Sequence, residues 1–224
     1  VSTVTTPRKA FPASSGLPGG RLYDAAELLV WVAGLNLLVI AFSLLGGIVL
    51  GLAPALVAAA SVSRARVRGD AQPLFRTFAR VWRRELLRAN AVLWPFAAVA
   101  LVLGANLYAF APGGGVLVVA LWIALGVVGM AAVFAFTMYS HYDIPLRTYP
   151  TTALRYLLHD LPATALVAVV TVMAVLLVRF LPGLLPVLAI GAWLHAVTAI
   201  CTSCHARNDR LVAALSDSTP TPSE

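Results

Sequence analysis

Acidic residues are scarce in this chain. Nine Asp and Glu stand among 224 residues, and charged residues of both signs make up 11%, against roughly 25% in soluble domains. So few charges cannot cover a water-soluble globule of this size. With a mean hydropathy of +0.89, they place the chain in a membrane. The same scarcity leaves little for general acid–base chemistry, and no acidic pair falls inside an apolar run, where proton coupling would need one. Cysteine is limited to Cys201 and Cys204, which excludes a disulfide-stapled secreted fold. Lysine is nearly missing as well: Lys9 is alone, so the net charge of +7 is carried by arginine. In a soluble protein that balance would suggest nucleic acid. Here the arginines flank apolar runs, so anionic lipid headgroups and topology account for them, and no nucleic-acid partner is expected. P-loop, G-x-S-x-G and H-E-x-x-H motifs are all missing. No catalytic, cofactor-binding or metal-ligating residue is therefore assigned, and a protein that is not an enzyme is expected.

Long apolar sequence is what the chain has in quantity. Residues 28–62 carry no charge, more than the roughly 20 residues one span needs and short for two. Gly46-Gly47, Gly51 and Pro54 interrupt the run, which predicts two short or tilted helices over 28–45 and 48–63. One span followed by a half-buried helix is the alternative. Ala91–Phe110 and Gly115–Tyr139 pair across APGGG, and Leu161–Leu181 and Leu184–Cys204 pair across PGLLP. Helices do not continue easily through such Pro and Gly clusters, so each pair reads as a tight hairpin. The expected fold is an all-α, polytopic transmembrane helical bundle of six helices, or five, over residues 21–210. A disordered, Ser/Thr/Pro/Gly-rich stretch 1–20 is expected before it and a flexible tail 211–224 after it.

The connectors between hairpins are basic. Arg64, Arg66, Arg68, Arg76, Arg80, Arg83, Arg84 and Arg88 lie in one, against Asp70 and Glu85. Arg147 and Arg155 lie in the other, with His141, His159, Asp143 and Asp160. Under the positive-inside rule both connectors face the interior, and with six helices both termini do too. This predicts a multi-pass protein of the bacterial cytoplasmic membrane. Within PLFRTFARVWRRELLRAN (73–90), helical spacing puts Leu74, Phe75, Phe78, Val81, Trp82, Leu86 and Ala89 on one side. Arg76, Arg80, Arg83, Arg84 and Arg88 fall on the other. That is the profile of a cytoplasmic amphipathic helix lying in the interface, its guanidiniums on lipid phosphates or on a partner.

Polar residues inside apolar runs are costly and mark candidate sites. His195, Asn36 and Asn106 are three such residues. They could line a polar path, or they could hydrogen-bond between helices. Gly34, Gly126 and Gly129 are expected to permit close helix approach. Cys201-Thr202-Ser203-Cys204-His205 matches the C-x-x-C-H of haem attachment. The charge pattern puts it at the inner end of the last helix, whereas such attachment belongs outside, so a structural cysteine pair is expected and no cofactor.

From Leu22 onward the sequence resembles the YesL-like integral membrane proteins of bacteria. The resemblance rests on Asn36 in LNLL, the Gly-x-x-Pro-Ala turn at Gly51 to Ala55 and the RG-D of the basic loop. The F-x-x-F helix around Phe75 and Phe78 and the helix-loop-helix ALRYLLHDLPATAL (153–166) also belong to it. It implies a membrane protein accessory to, or associated with, an ABC-type carbohydrate transport system, with components of that transporter as partners. It assigns no catalytic residues. The chain lacks the Glu-Ala-Ala and Gly signature of permease subunits, so usual engagement of the ATPase is not expected. A small secondary transporter or channel is the second reading, and a membrane redox protein using C-x-x-C-H the third.

Overall fold

The computed structural model describes residues 18–70, 72–140 and 145–218, without the side chains of 18–21, 147, 185 and 205–218. The expected disordered stretch falls outside the described residues up to 17, as do His141 and Asp143. Seven α-helices follow in order: α1 (Pro18–Leu45), α2 (Leu52–Val67), α3 (Leu74–Phe110), α4 (Val116–Tyr139), α5 (Tyr149–His159), α6 (Leu161–Phe180) and α7 (Ile190–Ser218). No strand occurs among the described residues. The last helix runs into the stretch expected as a tail, of which 219–224 lie outside the description.

Five segments are long and apolar enough to cross a membrane: Leu22–Leu45, Leu74–Gly113, Val116–Tyr139, Leu161–Phe180 and Pro182–Cys204. The all-α, multi-pass bundle is thus the observed fold. The charge-free run 28–62 resolves into one such span followed by a shorter helix, the second of the two alternatives. Helix α2 has 16 residues, about 24 Å. It is also the most enclosed element: Ala53 to Ala55, Val57 to Ala60, Val62 and Ser63 are all buried. Its alanines and serines keep it thin, so α1, α3 and α7 can all press against it.

The α1–α2 turn depends on glycine. A Cβ on Gly46 would meet the backbone of Gly51, and one on Gly51 would meet the carbonyl oxygens of Phe42 and Ser43. Gly47 and Ile48 both take left-handed backbone, φ 69° and 61°, a strained state for a β-branched residue. The Ile48 N–H donates to Ser43 O at 2.8 Å and helps hold that state. At the other end of α2, Arg66 pairs with Glu27 of α1 at 3.0 Å. So α2 runs back antiparallel along α1.

The amphipathic stretch 73–90 is not a separate interfacial helix. It is the first half of α3, a helix of 37 residues, about 55 Å long. Between Arg88 and Trp94 the chain offers neither Gly nor Pro, and Pro95 is accommodated inside the helix. Part of the aromatic face meets protein: Phe42 of α1 lies 5.2 Å from Phe78 and 5.3 Å from Trp82, between ring centroids, while Phe75 stays 62% exposed. Beyond Phe96 on α3, and before Ala131 on α4, neither helix has a buried residue. Those outer halves form a hairpin standing clear of the rest of the bundle. Gly126 and Gly129 sit on it with open space around them, so they mediate no close approach.

Candidate functional site

Two of the three polar candidates, Asn36 and His195, lie where α7 packs on α1 and α2. Asn36 on α1 is fully buried and faces the start of α7, where Leu185–Ala189 form a π-helical turn. Its Nδ2 donates to Pro186 O at 2.6 Å, and its Oδ1 accepts from the Gly191 N–H at 2.9 Å. The side chain therefore satisfies backbone groups that an irregular turn would leave exposed in hydrocarbon. Gly191 makes this possible: a Cβ there would strike Val32 O and come within 2.9 Å of Asn36 N.

One turn further along α7, His195 Nδ1 shares a 2.6 Å hydrogen bond with Ser63 Oγ of α2. Trp31 meets the imidazole edge-on at 5.2 Å. The Arg66 guanidinium stacks over the Trp31 ring at 4.8 Å and pairs with Glu27. Helices α1, α2 and α7 are thus joined through Glu27, Arg66, Trp31, His195 and Ser63, a polar chain with partners along its length. Arg66, Trp31 and Ser63 are absent from any list drawn from polar residues inside apolar runs. Two of them lie outside such runs by charge or position, and Trp31 is apolar. Asn106 lies elsewhere, exposed on the outer half of α3, its Nδ2 donating to Val102 O at 2.8 Å one turn back. The three residues do not line one path.

A second cluster was overlooked because its carboxylate was counted with the basic connector. Glu85 is 6% exposed. It accepts from Tyr139 Oη of α4 at 2.5 Å and from Arg84 Nε at 2.7 Å. Tyr139 packs edge-on against Tyr149 of α5 at 5.3 Å. The signal was legible: Phe78, Trp82, Glu85 and Ala89 share one helical seam, so Glu85 sits on the apolar side of its own helix. Tyr139→Phe should cost about 1.5–3 kcal/mol, as a hydrogen bond to a buried charge does. Tyr139→Phe with Glu85→Leu should cost less than the two single changes summed. Unfolding in mixed detergent micelles measures both, and strict additivity would mean the contact carries no energy.

The arginine stripe is exposed. Arg76, Arg80, Arg83, Arg84 and Arg88 all face away from the bundle. Among the described residues the one carboxylate paired with this stripe is Glu85, on Arg84. Arg64, near the end of α2, is partly buried, and burial together with the neighbouring Arg68 pulls its guanidinium below the ordinary arginine value.

Cys201 is buried and Cys204 half-buried, and neither is in a disulfide. They lie one turn apart on α7. A thioether at Cys201 would need that sulfur accessible, and it is 2% exposed. The side chain of His205 is outside the described residues. Among those described, no three His, Cys, Asp or Glu side chains gather as metal ligands.

The chain is 32% identical over 170 residues to "Uncharacterized protein YesV" of Bacillus subtilis (strain 168), covering 74% of this chain and 82% of that protein. It is 27% identical over 193 residues to "Uncharacterized protein YteU" of the same strain, covering 84% and 83%. No solved structure matches it. Residues 32–107 match the family described as "Protein of unknown function, DUF624", a stretch that holds Asn36, Ser63, the Glu85 seam and the whole arginine stripe. With YesV aligned along most of both chains and the family match spanning α1 to α3, this chain belongs to the DUF624 family.

Proposed function

We propose that the protein is a non-enzymatic, YesL-like accessory component of an ABC-type carbohydrate transport system in the bacterial cytoplasmic membrane. One observation supports a docking role above the others. Phe78 and Trp82 on the aromatic face of α3 are seated on Phe42 and the α1–α2 turn, and the opposite face presents five guanidiniums to whatever lies outside the bundle. Arginine suits such a surface because its planar fork binds carboxylates in pairs of hydrogen bonds. Helix α5 adds exposed Leu154, Arg155 and Leu158, a mixed surface of the kind partners cover. The positive-inside rule puts this surface in the cytoplasm.

The test is co-purification from native membranes in mild detergent, with mass spectrometry. Wild-type protein should bring down subunits of a sugar importer. A variant with Arg76, Arg80, Arg83, Arg84 and Arg88 all changed to Gln should lose them while keeping its unfolding midpoint. Recovery of the wild-type protein alone, in detergent that keeps other importers intact, would leave the stripe to lipid headgroups and end the accessory reading.

A further inference from the structure

The membrane-facing side of α6 and α7 holds a groove of about 310 Å³, lined by Thr171, Ala174, Val175, Val178, Ile190 and Trp193. Its origin lies in the irregular entry to α7. Asn36 ties Pro186 and Gly191 to α1, drawing the first turns of α7 away from α6, and the π turn widens the helix where it would otherwise pack. The polar atoms at the floor are already engaged. Trp193 Nε1 donates to Thr171 Oγ1 at 3.0 Å, and that hydroxyl donates to Val167 O at 2.7 Å. What remains is an apolar slot. Thr171 to Val178 is about 10 Å of helix, running up to the α6–α7 turn. Arg179 stands at that end, one turn beyond Val175, exposed and without a carboxylate partner among the described residues.

We propose that this groove binds one anionic phospholipid, with an acyl chain along Thr171–Val178 and its phosphate on Arg179. Both halves of the ligand follow from position. A slot lined by aliphatic side chains inside a span is filled by hydrocarbon, and a guanidinium at the helix end reaches the headgroup layer. Glu and Asp are missing from α6 and from Pro182–Cys204, so nothing acidic there competes for Arg179.

Native mass spectrometry after delipidation tests this, with phosphatidylglycerol and phosphatidylcholine of identical chains as probes. Wild-type protein should retain one phosphatidylglycerol, preferred about fivefold, which is what one basic residue contributes at a membrane surface. Arg179→Gln should still hold one lipid but without preference. Ala174→Phe should fill the slot and lose both lipids, while Leu177→Phe, outside the lining, should behave as wild type. The Arg179→Gln selectivity decides the matter even if Ala174→Phe does not fold. Equal binding of the two lipids by wild-type protein, an unchanged preference in Arg179→Gln, or a dimer with no lipid would overturn the proposal.

Discussion

Gly191→Ala should strongly destabilise the protein, although alanine is the better helix former. The added methyl would run into Val32 O across the α1–α7 contact. It would also push the Gly191 N–H away from Asn36 Oδ1, now 2.9 Å distant. Overpacking of this kind costs about 1–3 kcal/mol, and an orphaned buried hydrogen-bonding group about as much again. A total of about 2–6 kcal/mol is comparable with the whole stability of many domains. The same change at Gly126 or Gly129 should act in the opposite direction. Nothing lies within 4 Å of a Cβ at either, so only the helix-forming gain remains, up to about 1 kcal/mol. Unfolding midpoints of the three variants in one detergent compare them directly. A Gly191→Ala protein as stable as Gly126→Ala would mean that α1 and α7 do not touch as described.

Trp82→Ala should be the second large loss. Trp82 is 8% exposed, packs against Phe42, and its Nε1 donates to Gly51 O at 3.3 Å. Removing a buried Trp side chain costs about 3–5 kcal/mol through lost contacts and the cavity left behind. Trp82→Phe keeps most of the ring and loses the hydrogen bond, worth about 0.6 kcal/mol between membrane helices. The ratio of the two separates packing from bonding. If alanine costs no more than phenylalanine does, the α1–α2 turn is not seated on α3. Circular dichroism through a denaturing-detergent titration reads both values.

The parts of this architecture that follow from local chemistry were legible in the residues. APGGG and PGLLP turn the chain where Gly and Pro permit nothing else, and the limits of α4 and α6 lie within a residue or two of the apolar runs. Features that depend on which helix faces which were not. Gly126, Gly129 and Gly191 look alike in sequence, each a glycine in an apolar run. Only Gly191 meets a partner, and that partner is Asn36 in another part of the chain. Asn36 was legible as a costly polar residue, but its role of satisfying a π turn was not, because nothing in LLPVLA announces that turn. Helix α2 was half legible: its alanines exclude a bulky lipid-facing surface, yet its burial on every side depends on three neighbours distant in sequence. The arginine stripe was visible as a face. Its continuity with the next span was hidden because a change from polar to apolar composition reads as a boundary, while the backbone hydrogen bonds of a helix run through such a change unbroken.

That continuity has a mechanical consequence. Trp82 and Asn90 fasten α3 to the carbonyl oxygens of Gly51 and Leu50, with eight residues of helix before Trp82 and twenty after Asn90. The basic arm and the outer arm are therefore one unbroken rod, anchored in its first half. Whatever load the guanidiniums bear is borne by the same helix that builds the outer hairpin, with no break in its backbone between the two.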